Sequence, residues 1–328
     1  MPRLLRLLSH VLPLLALGVI VLGAYVRLSD AGLGCPDWPG CYGHLGVPSD
    51  QPDIHLQDPD WHSRPLEAGK AWREMVHRYL ASTLGLGIVV LAAGALNAER
   101  RRAVGLSRVV FLLVPLVVFQ GLLGMWTVTL LLKPLVVSGH LLGGLSTLAL
   151  LWWNLLRVRG LHSVGRAGTL GTLARVATCV LVLQIFLGGW TSANYAALAC
   201  TDFPTCQGRW LPDTDFREAF VLWRGLGVNY EFGVLETPAR TAVHFTHRLG
   251  ALVTSLVVLL TVVAAFARPE PRLRQIASCI LAAVLLQVGL GITNVVGGLP
   301  LPVAVAHNGV AALLLLGCLT LVFATRRT

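Results

Sequence analysis

The sequence predicts an all-α integral membrane protein: eight transmembrane helices in two pseudo-symmetric four-helix bundles, with both chain ends in the cytoplasm. Three observations predict it. The 328 residues are 55% hydrophobic and only 13% charged, and the mean hydropathy is +0.70, a balance foreign to soluble domains. Eight stretches, near 9–27, 74–96, 109–130, 135–156, 174–194, 241–266, 276–296 and 302–325, approach the roughly 20 apolar residues that cross a bilayer core. The second half of the chain also repeats the first.

The first stretch is followed by no convincing small-residue cleavage site, so it reads as a retained helix and not as a removed signal peptide. Sidedness comes from the arginines. They cluster at Arg3 and Arg6; Arg100, Arg101, Arg102 and Arg108; Arg157, Arg159, Arg166 and Arg175; Arg268, Arg272 and Arg274; and Arg326 and Arg327. These are alternate loops and both termini, the distribution of a chain whose basic loops face the cytoplasm. The long loops, 28–73 and 195–240, then lie outside the cell membrane. The net charge of +10 is a topology signal, and the basic loops carry no recognisable nucleic-acid-binding fold.

The repeat is clearest after the first and fifth stretches. GAYVRLSDAGLGCPDWPGCYG (23–43) aligns without gaps to GGWTSANYAALACTDFPTCQG (188–208), at an offset of 165 residues. VHRYLA (76–81) matches THRLGA (246–251), and Gln120, Gly124 and His140 match Gln287, Gly291 and His307 at an offset of 167. Four helices are thus followed by four related helices in the same orientation. The expected division is a bundle over 1–157, a cytoplasmic linker over 158–173 and a second bundle over 174–328. Small residues recur in LGLG, GHLLGG and VGLGITN. They either let helices approach closely or make room for a flat cofactor.

Ten histidines are present. His10 and His162 lie near cytoplasmic ends. His44, His55 and His62 lie in the first outer loop, where solvent exposure or metal binding are both open. His77, His140, His247 and His307 form two repeat-related pairs, each within about two turns of the outer end of its helix. Ionisable groups at such depth are costly and usually functional. Two imidazoles facing one another are a standard axial ligand set for haem iron. Packing and a proton path are the alternatives. Zinc would need four close ligands, and copper at the cysteine loops is a minor alternative.

The two halves differ beside the first histidine. Glu74 precedes His77 by one helical turn, on the same face, whereas His244 stands in that place before His247. A carboxylate beside a haem can accept a proton, hold a water or stabilise positive charge; as a helix-end residue it would only answer the helix dipole. Arg78 and Arg248 follow the histidines. They either pair with haem propionates or extend toward the headgroups.

Through CPDWPGC, EMVHRYLA, SGHLLGG, CTDFPTC, HFTHRLGA and AHNG, nearly the whole chain resembles the haem A synthase family. The resemblance implies oxidation of a ring methyl of haem O to a formyl group by successive hydroxylations, giving haem A for a terminal oxidase. It implies that His77 and His140 flank the substrate haem, that Glu74 is the catalytic carboxylate and that His247 and His307 ligate a haem B. Partners implied are membrane lipid, a haem O synthase and an unidentified electron donor. Oligomeric state is not legible. His244 stays open as an alternative ligand, with the repeat and the following arginine favouring His247.

Cys35 with Cys41 and Cys200 with Cys206 match the family's two outer-loop cysteine pairs. Five intervening residues, with Pro and Gly favouring a turn, allow each pair to close. Bridges would brace caps over the sites, and a thiol–disulfide cycle at Cys35 and Cys41 is the functional alternative. Cys179, Cys279 and Cys318 lie in apolar segments as inert thiols. The rival readings are a dihaem b-type electron carrier and a haem transport or delivery protein.

Overall fold

The structure is a computed structural model that describes residues 1–49, 65–164 and 168–326. His55, His62, Arg166 and Arg327 lie outside the described residues. Ten α-helices are found among those residues: α1 (Pro2–Leu28), α2 (Ala68–Ala95), α3 (Ala98–Val104), α4 (Leu113–Thr129), α5 (Pro134–Val158), α6 (Thr169–Ala193), α7 (Phe216–Ala219), α8 (Thr237–Phe266), α9 (Pro271–Val296) and α10 (Leu301–Ala324). A 3-10 turn, Arg108–Leu112, leads into α4. Eight helices are long and apolar enough to cross a membrane: α1, α2, α4 with its leading turn, α5, α6, α8, α9 and α10. This is a multi-pass, all-helical membrane protein. Among the described residues the only β contacts are isolated bridges, Cys41 with His44 and Cys206 with Arg209.

The spanning helices begin where local chemistry permits. Proline occupies the first turn of α1, α5, α8, α9 and α10, where its missing N–H costs nothing. α2 and α8 begin at Ala68 and Thr237, earlier than the apolar stretches near 74 and 241. Polar residues extend each helix outward past the hydrocarbon, so hydropathy misses those first turns.

One stripe of each helix is buried and another faces lipid. In α1 the buried residues Leu5, Ser9, Leu12, Ala16, Val19 and Val26 are spaced by three, four or seven positions, the periods of one helix face. Ser9 is satisfied within the helix, donating to the Leu5 carbonyl at 2.7 Å. On outward faces Leu86, Leu183, Leu256, Val263 and Leu285 are exposed, as lipid-facing positions require.

α1 packs on α2 and α5, and α4 packs on α2 and α5, closing a ring of four helices. α6, α8, α9 and α10 close a second ring: α6 with α8 and α10, and α9 with α8 and α10. α1 with α10, α5 with α6 and α5 with α10 connect the rings. At the connection Trp152 Nε1 donates to Thr320 Oγ1 at 2.9 Å, and Arg27 Nη2 donates to the Ser192 carbonyl at 2.6 Å.

The α1–α2 contact is close because α2 offers glycine. A Cβ on Gly94 would lie 2.5 Å from Leu5 Cδ2, and one on Gly87 would lie 2.5 Å from Leu12 Cδ2. Leu5 is fully buried, and a Cβ on Gly94 would also crowd its Cγ at 3.3 Å. Gly94→Val is therefore expected to cost about 1–3 kcal/mol, the usual range for overpacking. A lowered Tm in detergent checks this; an unchanged Tm means that α1 can shift outward freely.

Candidate functional site

Each of His77, His140, His247 and His307 is set against a glycine of the adjacent helix. A Cβ on Gly23 of α1 would lie 2.9 Å from His77 Cε1 of α2; one on Gly124 of α4 would lie 3.4 Å from His140 Cε1 of α5. The same arrangement holds for Gly188 of α6 with His247 of α8, and Gly291 of α9 with His307 of α10, each at 3.2 Å. The glycines thus make room for imidazole rings. α2 and α5 lie diagonally across the first ring, and α8 and α10 across the second. His77 and His140 are within electrostatic reach of one another, as are His247 and His307.

The ring nitrogens are only partly satisfied. Nδ1 of His77, His140 and His307 is buried without a hydrogen-bond partner. The amides nearby come from glutamines one turn before three of the facing glycines. Gln184 Nε2 lies 3.0 Å from His247 Nδ1 and 2.9 Å from its carbonyl. Gln287 Nε2 lies 3.1 Å from His307 Nε2, and Gln120 Nε2 donates to the His140 carbonyl at 2.9 Å. Oε1 of all three glutamines is buried and unpartnered. Orphaned polar atoms cost about 1–3 kcal/mol each and are few in native proteins. Their concentration at repeat-related histidines is what a site for an additional group looks like, and imidazole pairs suit haem iron. Among the described residues no three His, Cys, Asp or Glu side chains converge as they would around a lone ion.

Glu74 sits above His77, 5% exposed. Its Oε2 accepts the Cys35 N–H at 2.9 Å, and its Oε1 accepts from Arg78 Nη2 at 2.5 Å. His244 makes the matching contact in the second half, where its Nδ1 accepts the Cys200 N–H at 3.2 Å. Both residues hook the first cysteine of a disulfide loop to a helix. Arg78 Nη1 donates to the carbonyls of Asp37 and Gly40 at 3.0 and 2.6 Å. Arg248 donates to the carbonyls of Thr205 and Asp202 at 2.7 and 2.6 Å. The structure thus brings both guanidiniums onto the loops.

The loops themselves are built alike. Cys35–Cys41 and Cys200–Cys206 are disulfides. Asp37 accepts the N–H groups of Tyr42 and Gly43 at 2.6 and 2.9 Å; Asp202 accepts those of Gln207 and Gly208 at 2.6 and 3.0 Å. Tyr42 with Gly43, and Gln207 with Gly208, have positive φ, which suits glycine in the second place. The first loop also presses on α2: a Cβ on Gly34 would meet the Ala71 nitrogen at 2.8 Å. Of the other singled-out residues, His44 closes the first loop through its backbone with Cys41, and His10 bonds the Arg6 carbonyl. Cys179 and Cys279 are exposed and Cys318 is buried, all three free.

Several residues at the site carry no signal in the repeat. Gln184 has Val19 as its counterpart, so comparison of the halves does not mark it. Lys133, only 1% exposed, donates to the Gly225 carbonyl and stands 3.6 Å from the centroid of the Trp223 ring. Tyr230 N–H donates to the Leu131 carbonyl at 3.0 Å. The second long loop is thereby fastened over the α4–α5 corner of the first ring.

Residues 6–319 match the COX15-CtaA family of cytochrome oxidase assembly proteins. The Heme A synthase of Shewanella oneidensis is 45% identical over 306 residues, covering 92% of this chain and 91% of that protein. The Heme A synthases of Paracoccus denitrificans and Granulibacter bethesdensis are 29% and 27% identical, covering 92% and 90% of this chain and 83% and 80% of theirs.

The second loop gives a pH prediction. Hydrogen bonds from Thr205 Oγ1 and the backbone hold the Asp202 carboxyl down at about 2, against an ordinary 3.8. A depressed carboxylate contributes its stabilisation in full above the ordinary value, and that contribution disappears as pH falls through the depressed one. Amide proton shifts of Gln207 and Gly208 should therefore titrate with a midpoint near 2 and stay flat from about 4 upward. Asp202→Asn should abolish the transition; a wild-type midpoint near 4 would show that the carboxylate is not held.

Proposed function

This chain belongs to the COX15-CtaA family of cytochrome oxidase assembly proteins, and from that premise we propose a division of labour between its halves. Its activity is that of a haem A synthase, a membrane oxidoreductase that takes haem O to haem A. In the proposed division, residues 1–157 form the bundle that receives the substrate haem between His77 and His140. Residues 174–328 form a related bundle that holds a haem B between His247 and His307, and 158–173 link them. The Arg-rich loops and both termini face the cytoplasm, and the loops at 28–73 and 195–240 face outward.

One observation carries the ligand assignment: three of the four histidines keep a buried ring nitrogen without a partner, and all four stand opposite a glycine. When bound, the substrate haem supplies the iron and the methyl group that becomes a formyl group. The chain's residues do the rest. Apolar helix faces hold the macrocycle away from water. The histidine pairs orient it. Glu74, one turn outward of His77, is the carboxylate that handles the proton at the first site, and Arg78 keeps it in place. Arg78 and Arg248 serve the propionate side indirectly, by fixing the loops that roof each site; the disulfides keep those roofs closed. Reducing equivalents come from a separate donor, and haem O from the synthase that makes it.

A second reading of Glu74 rests on a specific contact. Cys200 N–H bonds His244 as Cys35 N–H bonds Glu74, so anchoring a loop is a role both residues share. Anchoring and proton handling separate in two variants. Glu74→Gln keeps an acceptor for Cys35 but loses the charge facing Arg78. Glu74→His copies the second half. Each is expected to retain haem and the disulfide while losing at least about 100-fold in oxidation, the lower range for loss of general acid–base help. Co-expression with a source of haem O, followed by chromatography and mass spectrometry of the extracted haems, measures this. Normal yields of haem A or its hydroxylated precursor from either variant would leave Glu74 as an anchor alone.

A further inference from the structure

We infer that the residue one turn before each facing glycine sets how firmly the opposite histidine is held, and that Val19 makes His77 the histidine able to leave its haem. The inference rests on the proposed ligation. Iron held by two imidazoles has no position left for a small molecule, so one of them must yield if the metal is to take part.

The four positions are Val19 before Gly23, Gln120 before Gly124, Gln184 before Gly188 and Gln287 before Gly291. In the second half both glutamine amides reach a ring nitrogen, at 3.0 Å for His247 and 3.1 Å for His307. In the first half Gln120 reaches only the backbone carbonyl of His140, with its own Oε1 buried and unpartnered beside that residue. Val19 offers nothing from its side chain. The rings of His77, His140 and His307 all lie near the backbone carbonyl of the residue one turn before the facing glycine, so what separates His77 from them is the side chain at Val19. The grip is thus graded: two rings bonded by an amide, one with an amide at hand and one with none.

A metal-bound histidine commonly gives its second N–H to an outer partner, which fixes the ring and raises its basicity; loss of such a partner typically costs 10–100-fold in metal affinity. The unpartnered Oε1 atoms of Gln120, Gln184 and Gln287 are acceptors of this kind. His77 lacks one. It also carries Glu74 one turn away, so the histidine that yields is the one next to the carboxylate.

Carbon monoxide binding to the reduced, haem-loaded protein reads ligand exchange without turnover. Wild type, Val19→Gln and Gln184→Val are compared for haem per chain, the low-spin signature of the ferric form, and the carbon monoxide binding rate. Wild type should react at the first site only, a reaction that survives in a His247→Ala/His307→Ala double variant, which leaves the second site without either ligand. Val19→Gln should retain haem and slow that reaction about 10–100-fold, whereas Gln184→Val should open the second site to carbon monoxide. Reaction at the His247–His307 site in wild type, or an unchanged rate in Val19→Gln at normal haem content, overturns the inference. Should Val19→Gln not fold, absence of any gain in Gln184→Val overturns it as well. Failure of the ligation itself has a different mark: His77→Ala and His140→Ala would leave haem content and the low-spin signature untouched.

Discussion

A polar atom carried into a bilayer has no water to fall back on, and the imidazoles of this chain are where that constraint bears hardest. Each needs space, which a glycine on the next helix supplies, and each needs a partner, which the helices supply only in part. Much of the architecture bears on those four rings. The helices that carry them lie diagonally across two rings of four, and the two imidazoles of each ring are within electrostatic reach of one another. Close packing at Gly87 and Gly94 holds α1 against α2 and so holds Gly23 against His77.

The two disulfide loops answer a second demand. A site for a large apolar substrate near the membrane surface must be roofed, and a loop has little apolar surface with which to hold itself down. Here charge does the holding. Arg78 and Arg248 each gather several loop carbonyls, and their planar, always charged groups suit that multiple grip. Glu74 and His244 fasten the first cysteine of each loop to its helix. The roof is thereby continuous with the turn that bears the histidine, and a change in Glu74 reaches the loop, Arg78 and His77 together. The second long loop extends this coupling by reaching over the α4–α5 corner through Lys133 and Tyr230, so the second half contributes to the cover of the first ring.

Much of this architecture is legible in the sequence. Composition and apolar run length are enough for eight spanning helices, because a bilayer leaves the chain few alternatives. Duplicated motifs are enough to pick out His77, His140, His247 and His307, the Glu74/His244 difference and both cysteine pairs. Family resemblance adds the chemistry. What escapes are residues whose role depends on a neighbour distant in the chain. Lys133 and Arg27 have no special local pattern, and Gln184 has no glutamine at its counterpart Val19.

The sequence by itself determined the membrane class, the repeat and the residue types available for chemistry, since these depend on hydropathy and on identities at fixed offsets. Tertiary structure alone decided what each side chain touches. It turned the small residues at 23, 124, 188 and 291 into spaces for imidazole rings, placed the two arginines on loop carbonyls, and gave Glu74 and His244 the same loop contact. The physical reason is that hydrogen bonds and close approaches are satisfied between helices. Which partner a buried atom finds is settled only when the helices come together.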